Sequence, residues 1–263
     1  MNTLFVIKIG GNIIDDEKKL NEFLQQFSGI GGKKILVHGG GKLATKLAEQ
    51  IGIKQQLVDG RRITDAETLK VVTMVYAGYI NKNIVAKLQH NGCNAIGITG
   101  ADGNAILAHK RVNASIDYGF AGDIDAVNVE FFDNLLKEDV DIVVAPITHD
   151  NKAQLLNTNA DTIAQEIATA MSKKYDVSLL YGFEKAGVLM DANDDATVIP
   201  LINADSFKQL KEENVIFAGM IPKLENAFSA INKGVKSVII GRAEELYALI
   251  RGRKGTRIVN RQS

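Results

Sequence analysis

The chain of 263 residues is 46% hydrophobic and 24% charged, enough apolar material for one large α/β domain or two fused lobes with a substantial core. Its 31 basic residues balance 31 acidic ones, which excludes general attraction to nucleic acid or to an anionic membrane surface, so a charged ligand must be met by a local cluster. The single cysteine, Cys93, excludes an internal disulfide and a multi-cysteine zinc site and fits a reducing, cytoplasmic setting.

The first apolar run, LFVIKI, is broken by Lys8 and has no basic leader, so no signal peptide is expected. No stretch reaches the roughly 20 apolar residues that span a bilayer. The run reads as a strand closed by Gly10 and Gly11. A lysine among Phe5, Val6, Ile7 and Ile9 is costly to bury unless its ammonium reaches an anion or a carboxylate. The plainer reading is an edge strand with Lys8 in water, but paired glycines at a strand end also let a backbone approach a ligand.

KLNEFLQQF then reads as a helix, and a second strand, KILVHG, ends in Gly39, Gly40 and Gly41 directly before a helix. Such a run of amides at a helix N-terminus suits an anion, although a tight turn would use the same residues. Neither glycine cluster fits a P-loop or a dinucleotide-binding fingerprint. VDGRRITD reads as part of a hairpin, on which only one of Arg61 and Arg62 can face a site while the other meets solvent. An inward arginine suits a carboxylate; a solvated surface pair is the alternative.

A long helical pattern from DAETLKVV to LQHNG leads to the strand NAIGIT, a hairpin around AILAHKR, and the strand DIVVAP. In LLNTNADTIAQEIATAM, three polar residues, Asn157, Asn159 and Asp161, crowd the start of a helix whose Ile163, Ile167 and Met171 recur at a spacing of four. Capping accounts for one of the three, which leaves a surplus to be explained. VSLLYG and SVIIG are further strands, and Lys223, after Gly219, opens the helix KLENAFSAINKG at the end where the dipole disfavours a cation.

Short β-rich runs alternating with helices predict a mostly parallel sheet covered by helices, the hairpins being added to that sheet. Two lobes sharing one sheet are expected, with a boundary near Lys173. The four histidines show no metal-ligand spacing.

Taken in order and spacing, IKIGG, VHGGGK, GRRITD, NTNAD and AGMIPK resemble the acetylglutamate kinases of the amino acid kinase family, as do YGFAGDIDAVN, VVAPITHD and GTRIV. The resemblance runs from Val6 to about Val259. It implies a three-layer αβα sandwich with a central, mainly parallel sheet, residues 1–173 binding an acylated amino acid and forming a homodimer, and residues 174–263 binding ATP. It implies transfer of the ATP γ-phosphoryl group to the side-chain carboxylate of an N-acylated glutamate, with Mg²⁺ carried on the nucleotide phosphates and no protein metal site. By this likeness Lys8 and Lys223 stabilise charge on the transferring group and Asp161 orients both. Gly40, Gly41, Arg62 and Asn157 would bind the amino acid, with Arg62 on its α-carboxylate. Gly10, Gly11, Tyr181, Gly182, Phe183, Gly187, Phe217 and Gly219 would serve the nucleotide.

The resemblance weakens at LLYGFEKAGVL, where relatives often carry L-T-D-V-x-G-V-L. There Tyr181 and Phe183 either pack against the base or are core aromatics. The acyl group is not decided by any residue: AHKRV, residues 108–112, offers a cation to an extra carboxylate or is an exposed hairpin tip. The first strand begins within a few residues of Met1, so the family's dimer is expected and not its arginine-inhibited hexamer.

Overall fold

The computed structural model describes residues 2–58, 61–112, 115–191, 193–213, 215 and 220–260. Its strands, in chain order, are β1 (Thr3–Ile9), β2 (Lys33–His38), β3 (Gln56–Val58), β4 (Arg61–Ile63), β5 (Ala95–Ile98), β6 (Ile106–Lys110), β7 (Ala121–Val127), β8 (Asp141–Val144), β9 (Ile147–His149), β10 (Leu155–Thr158), β11 (Asp176–Phe183), β12 (Leu201–Ile202), β13 (Ser237–Arg242) and β14 (Thr256–Ile258). Eight of them form one sheet in the order β12-β14-β13-β11-β1-β2-β8-β5. All neighbours from β13 to β5 run parallel, and β14 lies antiparallel to β13.

The six runs read as strands are all in this sheet, but the two hairpins are not. β3 and β4 pair only with each other, and β6, β7, β9 and β10 close into a small four-stranded barrel. The hairpins carry polar residues on both faces and could not replace the nearly continuous apolar strands of a doubly covered sheet.

Helices cover both faces of the sheet. Alternation along β1 sends Leu4 and Val6 into one core, and Ile7 and Ile9 into the other. The second core is filled by α1 (Gly11–Ile14), α2 (Glu17–Ser28), α3 (Gly41–Gln50), α4 (Ala66–Thr73) and α5 (Asn81–His90), through residues such as Phe23, Phe27, Ala44, Val72 and Ile84. The first is filled by α6 (Val129–Lys137), α7 (Ala160–Met171) and, past α8 (Ala204–Glu212), α9 (Ile221–Asn232), through Phe132, Ile163, Ile167, Leu224 and Ala227. The short α10 (Leu246–Ile250) returns to the second core with Leu246 and Leu249. The result is the expected three-layer αβα sandwich.

The sheet runs unbroken across the junction at residues 172–175: β1 pairs with β11 from Thr3↔Asp176 to Ile9↔Gly182. Close to that junction Asp133 accepts hydrogen bonds from the Tyr175 hydroxyl at 2.6 Å and the Lys174 ammonium at 2.8 Å, while Lys137 lies at 2.8 Å. These donors hold its carboxyl far below the usual carboxylate range and tie α6 to the start of β11. Cys93 is buried, its thiol pushed up to about 12, first by burial and then by the Asp141 carboxylate that accepts its hydrogen bond.

Candidate active site

Parallel strands end together, and here the carboxyl ends of β1, β2 and β11 gather the glycine clusters and the N-termini of α3, α7 and α9 at one edge of the sheet. Lys8, paired in register with Val37 and Tyr181, points to the face covered by α7. Its ammonium sits 2.8 Å from Asp161 Oδ1, and its side chain is only 11% exposed. A lysine can stand inside this central strand because that carboxylate compensates its lost hydration.

The three polar residues at the start of α7 divide the work. Asn159 is the N-cap: its side-chain oxygen accepts from the amides of Asp161 at 2.8 Å and Thr162 at 3.1 Å. That cap fixes the first turn and with it the direction of Asp161. Asn157, still in β10, donates from its side chain to Thr64 Oγ1 at 3.0 Å.

Lys223 is the third residue of α9, and its Nζ lies 4.0 Å from the centroid of the Phe183 ring; Lys8 Nζ is 5.7 Å from the same centroid. Burial holds the Lys223 ammonium below its ordinary pKa; Asp161 opposes this and Lys8 adds to it. Tyr181 stacks on Phe183 and donates to the Asp161 backbone oxygen at 3.4 Å. Burial, then the nearby carboxylates, raises its phenol well above the usual value.

Two adjoining clefts lie beside this group. The first is lined by Gly39, Gly40, Gly41, Arg62, Tyr76 and Asn157 among others, the second by Asp161, Tyr181, Phe183, Lys223 and Asn226 among others. Arg61 and Asn159 line both. Arg62 is buried and donates to the Gly41 backbone oxygen and Thr45 Oγ1, each at 2.9 Å, and to the Gln55 side chain. It thereby ties the β3–β4 hairpin to the start of α3.

The expectation that one of the two arginines faces solvent does not hold. Side chains do alternate along β4, but both arginines meet protein: Arg62 is buried and Arg61 half-buried, although Leu57 across the hairpin is exposed. Arg62 turns toward α3, while Arg61 turns toward Arg111, Asp123 and Tyr118, where burial and the Arg111 charge lower its pKa. Arg111 itself is held at 2.9 Å by Asp123.

Gly40 has φ +146°, and a Cβ there would fall 2.2 Å from Ile80 Cδ1, so this position accepts only glycine. Ile80 ends a π-helical stretch, Met74–Ile80, that joins α4 to α5 and also carries Tyr76 into the first cleft. Above Gly10 a Cβ would lie 3.6 Å from Lys8 Nζ and 3.2 Å from the Asn12 side-chain oxygen, so the missing side chain leaves room beside the lysine. Gly11 opens α1 at the same edge. Gly182 and Gly187 lie outside both linings and allow close packing, of Gly182 on Ala243 and of Gly187 on Thr256 and Val198. Phe217 and Gly219 lie outside the described residues.

The sequence reading missed Arg61 and Asn159 as residues shared by two clefts, and Asn12, whose side-chain nitrogen is buried with no hydrogen-bond partner among the described residues. Its position directly after two glycines at a strand end was the available signal. Among the described residues no group of three or more His, Cys, Asp or Glu side chains is placed to hold a metal ion, and no helix is long and apolar enough to cross a membrane.

The carboxyl edge of the sheet thus brings two lysines, a run of glycines and one carboxylate beside two adjoining clefts. The model of the amino acid kinase family matches residues 3–242, and the chain belongs to that family. Within it, the chain is 55% identical over 262 residues to the acetylglutamate kinase of Cytophaga hutchinsonii, covering 98% of this chain and 99% of that one. It is 56% identical over 243 residues to the acetylglutamate kinase of Phocaeicola vulgatus, covering 92% and 95%. Among solved structures, N-acetylglutamate synthase from Neisseria gonorrhoeae, complexed with coenzyme A and N-acetyl-glutamate, superposes with a TM-score of 0.83 at 20% identity. That match covers all of this chain and 60% of the synthase. Carbamate kinase from Giardia lamblia bound to AMP-PNP gives a TM-score of 0.70 at 15% identity, covering 99% of each chain. At these identities the structural likenesses speak for the fold alone.

Proposed function

We infer that the chain is an ATP-dependent kinase that phosphorylates the side-chain carboxylate of N-acetyl-L-glutamate, forming N-acetyl-L-glutamyl 5-phosphate in arginine biosynthesis. The observation that carries this reading is a pair of clefts sharing Arg61 and Asn159, the second of them lined by Lys223 and by Asp161, which pairs with Lys8. The first cleft, within residues 1–173, takes the amino acid: Arg62 holds its α-carboxylate, with Asn157 and the amides of Gly40 and Gly41 beside it. The second, lined in equal parts by residues of 1–173 and of 174–263, takes ATP, with Tyr181 and Phe183 on its wall and Gly10 and Gly11 near the transferring phosphoryl.

An acceptor carboxylate is already ionised near neutral pH, so the reaction needs no general base. What it needs is alignment of two anions and neutralisation of the charge on the transferring group, which Lys8 and Lys223 supply. Asp161 keeps the two ammonium groups in one site despite their repulsion. Its pairing with Lys8 also makes it a poor metal ligand, so the donor set suits Mg²⁺ borne by the phosphates.

The reading is tested by trapping the acyl phosphate with hydroxylamine in the presence of Mg-ATP. Signal is expected with N-acetylglutamate and not with free glutamate or aspartate. Signal confined to N-succinylglutamate would keep the chemistry and change the acyl group, and silence with every acceptor would sink the reading.

The working form is a cytoplasmic homodimer. Supporting it, β5 is an edge strand that leaves Ile96 39% exposed, and the π-helical stretch leading into α5, the helix packed on β5, exposes Met74 and Tyr79. Light scattering in solution should give twice the chain mass; a monomer at micromolar concentration would contradict the assignment.

A further inference from the structure

The ring of Phe183 has a place in the charge arrangement that base recognition does not explain. Period-two alternation puts Tyr181 and Phe183 on the same face of β11, and their rings are parallel to within 18°, with centroids 6.0 Å apart. The Lys223 ammonium lies 4.0 Å from the Phe183 centroid and Lys8 5.7 Å from it. Among the described residues Lys223 makes no ion pair, whereas the Asp161 carboxylate contacts Lys8 at 2.8 Å.

Lys223 therefore stands at the unfavourable end of a helix, partly desolvated and close to a second cation, without a carboxylate in contact. An aromatic face answers this situation in a way that a carboxylate could not. It attracts the ammonium through the ring quadrupole yet leaves the full positive charge unneutralised for incoming phosphoryl oxygens. A second carboxylate at the same distance would also hold the lysine but would offset more of the positive charge the two ammonium groups present.

We propose that Phe183 is a positioning residue for phosphoryl transfer: its ring face holds the Lys223 ammonium, with Lys8 beyond it, in the orientation that meets the transferring group. This rests on the kinase reading above and adds to it a residue that acts on the lysines and not on the adenine.

Phe183→Leu keeps an apolar side chain on β11 and removes the ring face, while Phe183→Tyr keeps the ring. The charged and titratable groups around Lys223 are Asp161 from α7, Lys8 from β1, Tyr181 from β11 and Arg61 from the hairpin, and none is altered. The leucine variant is expected to lose about tenfold in kcat, with KM for N-acetylglutamate within about twofold of the parent. Because the protonated lysine loses support, the alkaline limb of its kcat profile should move to lower pH; Phe183→Tyr should restore both.

A second readout does not depend on turnover. With the lysines reductively methylated with labelled formaldehyde, the NMR titration of the Lys223 amine, assigned through its loss in Lys223→Arg, should shift downward in Phe183→Leu and not in Phe183→Tyr. A leucine variant with unchanged kcat and an unmoved titration overturns the proposal, as does a loss of activity that Phe183→Tyr fails to restore. A parent protein inactive toward every acylated amino acid overturns the kinase reading instead, while the titration still decides the contact.

Discussion

Lys8→Ala is expected to lower kcat by about 10²- to 10³-fold, the range for removing one preorganised donor from a transition state. The Kd for N-acetylglutamate should change by no more than a few fold. Lys8 projects from a central strand of the sheet and makes its close contact with Asp161, and it does not line the cleft that holds Arg62. Its charge matters most when negative charge develops on the transferring phosphoryl. Steady-state kinetics paired with calorimetric binding separate the cases: a raised KM with kcat intact would make Lys8 a binding residue and reject the assigned role. The variant also removes one of the influences that depress Lys223. Its residual activity should therefore persist to higher pH than that of the parent, opposite in sign to the shift expected for Phe183→Leu.

Much of this site could be read from the sequence because its chemistry is local to strand ends and helix starts. A lysine in an apolar strand followed by two glycines, and a surplus of polar residues before a helical repeat, are violations of local preference, and such violations concentrate where function requires them. Lys8 and Asp161 were each legible in this way, and the ion pair between them joins the two anomalies. The six apolar runs were legible as strands because most of them are buried on both faces, which favours a nearly continuous apolar composition.

What escaped was set by long-range geometry. The antiparallel direction of β14 leaves no mark in a strand of three residues. The closure of β6, β7, β9 and β10 into a separate barrel depends on pairings such as Leu107↔His149, far apart in sequence. The two arginines of β4 were misjudged because alternation gives opposite faces without saying that either face meets water. Phe183 could be read as an apolar residue of its strand or a wall of the nucleotide cleft; only the position of α9 brings Lys223 onto its ring.

Arg62→Ala is expected to raise KM for the acylated amino acid by about 10²-fold, or roughly 2.7 kcal/mol, with a smaller change in kcat. A guanidinium has five N–H donors. Hydrogen bonds to Gln55, Gly41 and Thr45 commit one Nη1 hydrogen and both Nη2 hydrogens, so a substrate carboxylate gripped by the fork must take the place of one of these partners. Burial and tethering still favour recognition, because a guanidinium already held in place loses little entropy on binding. Arg62→Lys should recover only part of the affinity, since an ammonium has three donors, no planar fork, and cannot hold the Gly41 and Thr45 contacts while gripping a carboxylate. Gln55→Ala separates tethering from recognition. It releases one bond of the hairpin and leaves the guanidinium present, so KM should rise by only a few fold. If Gln55→Ala instead reproduces the whole effect of Arg62→Ala, the arginine acts by fastening the hairpin, and the α-carboxylate must be held by another residue, for which Arg61 on the opposite face of β4 is the nearest cation.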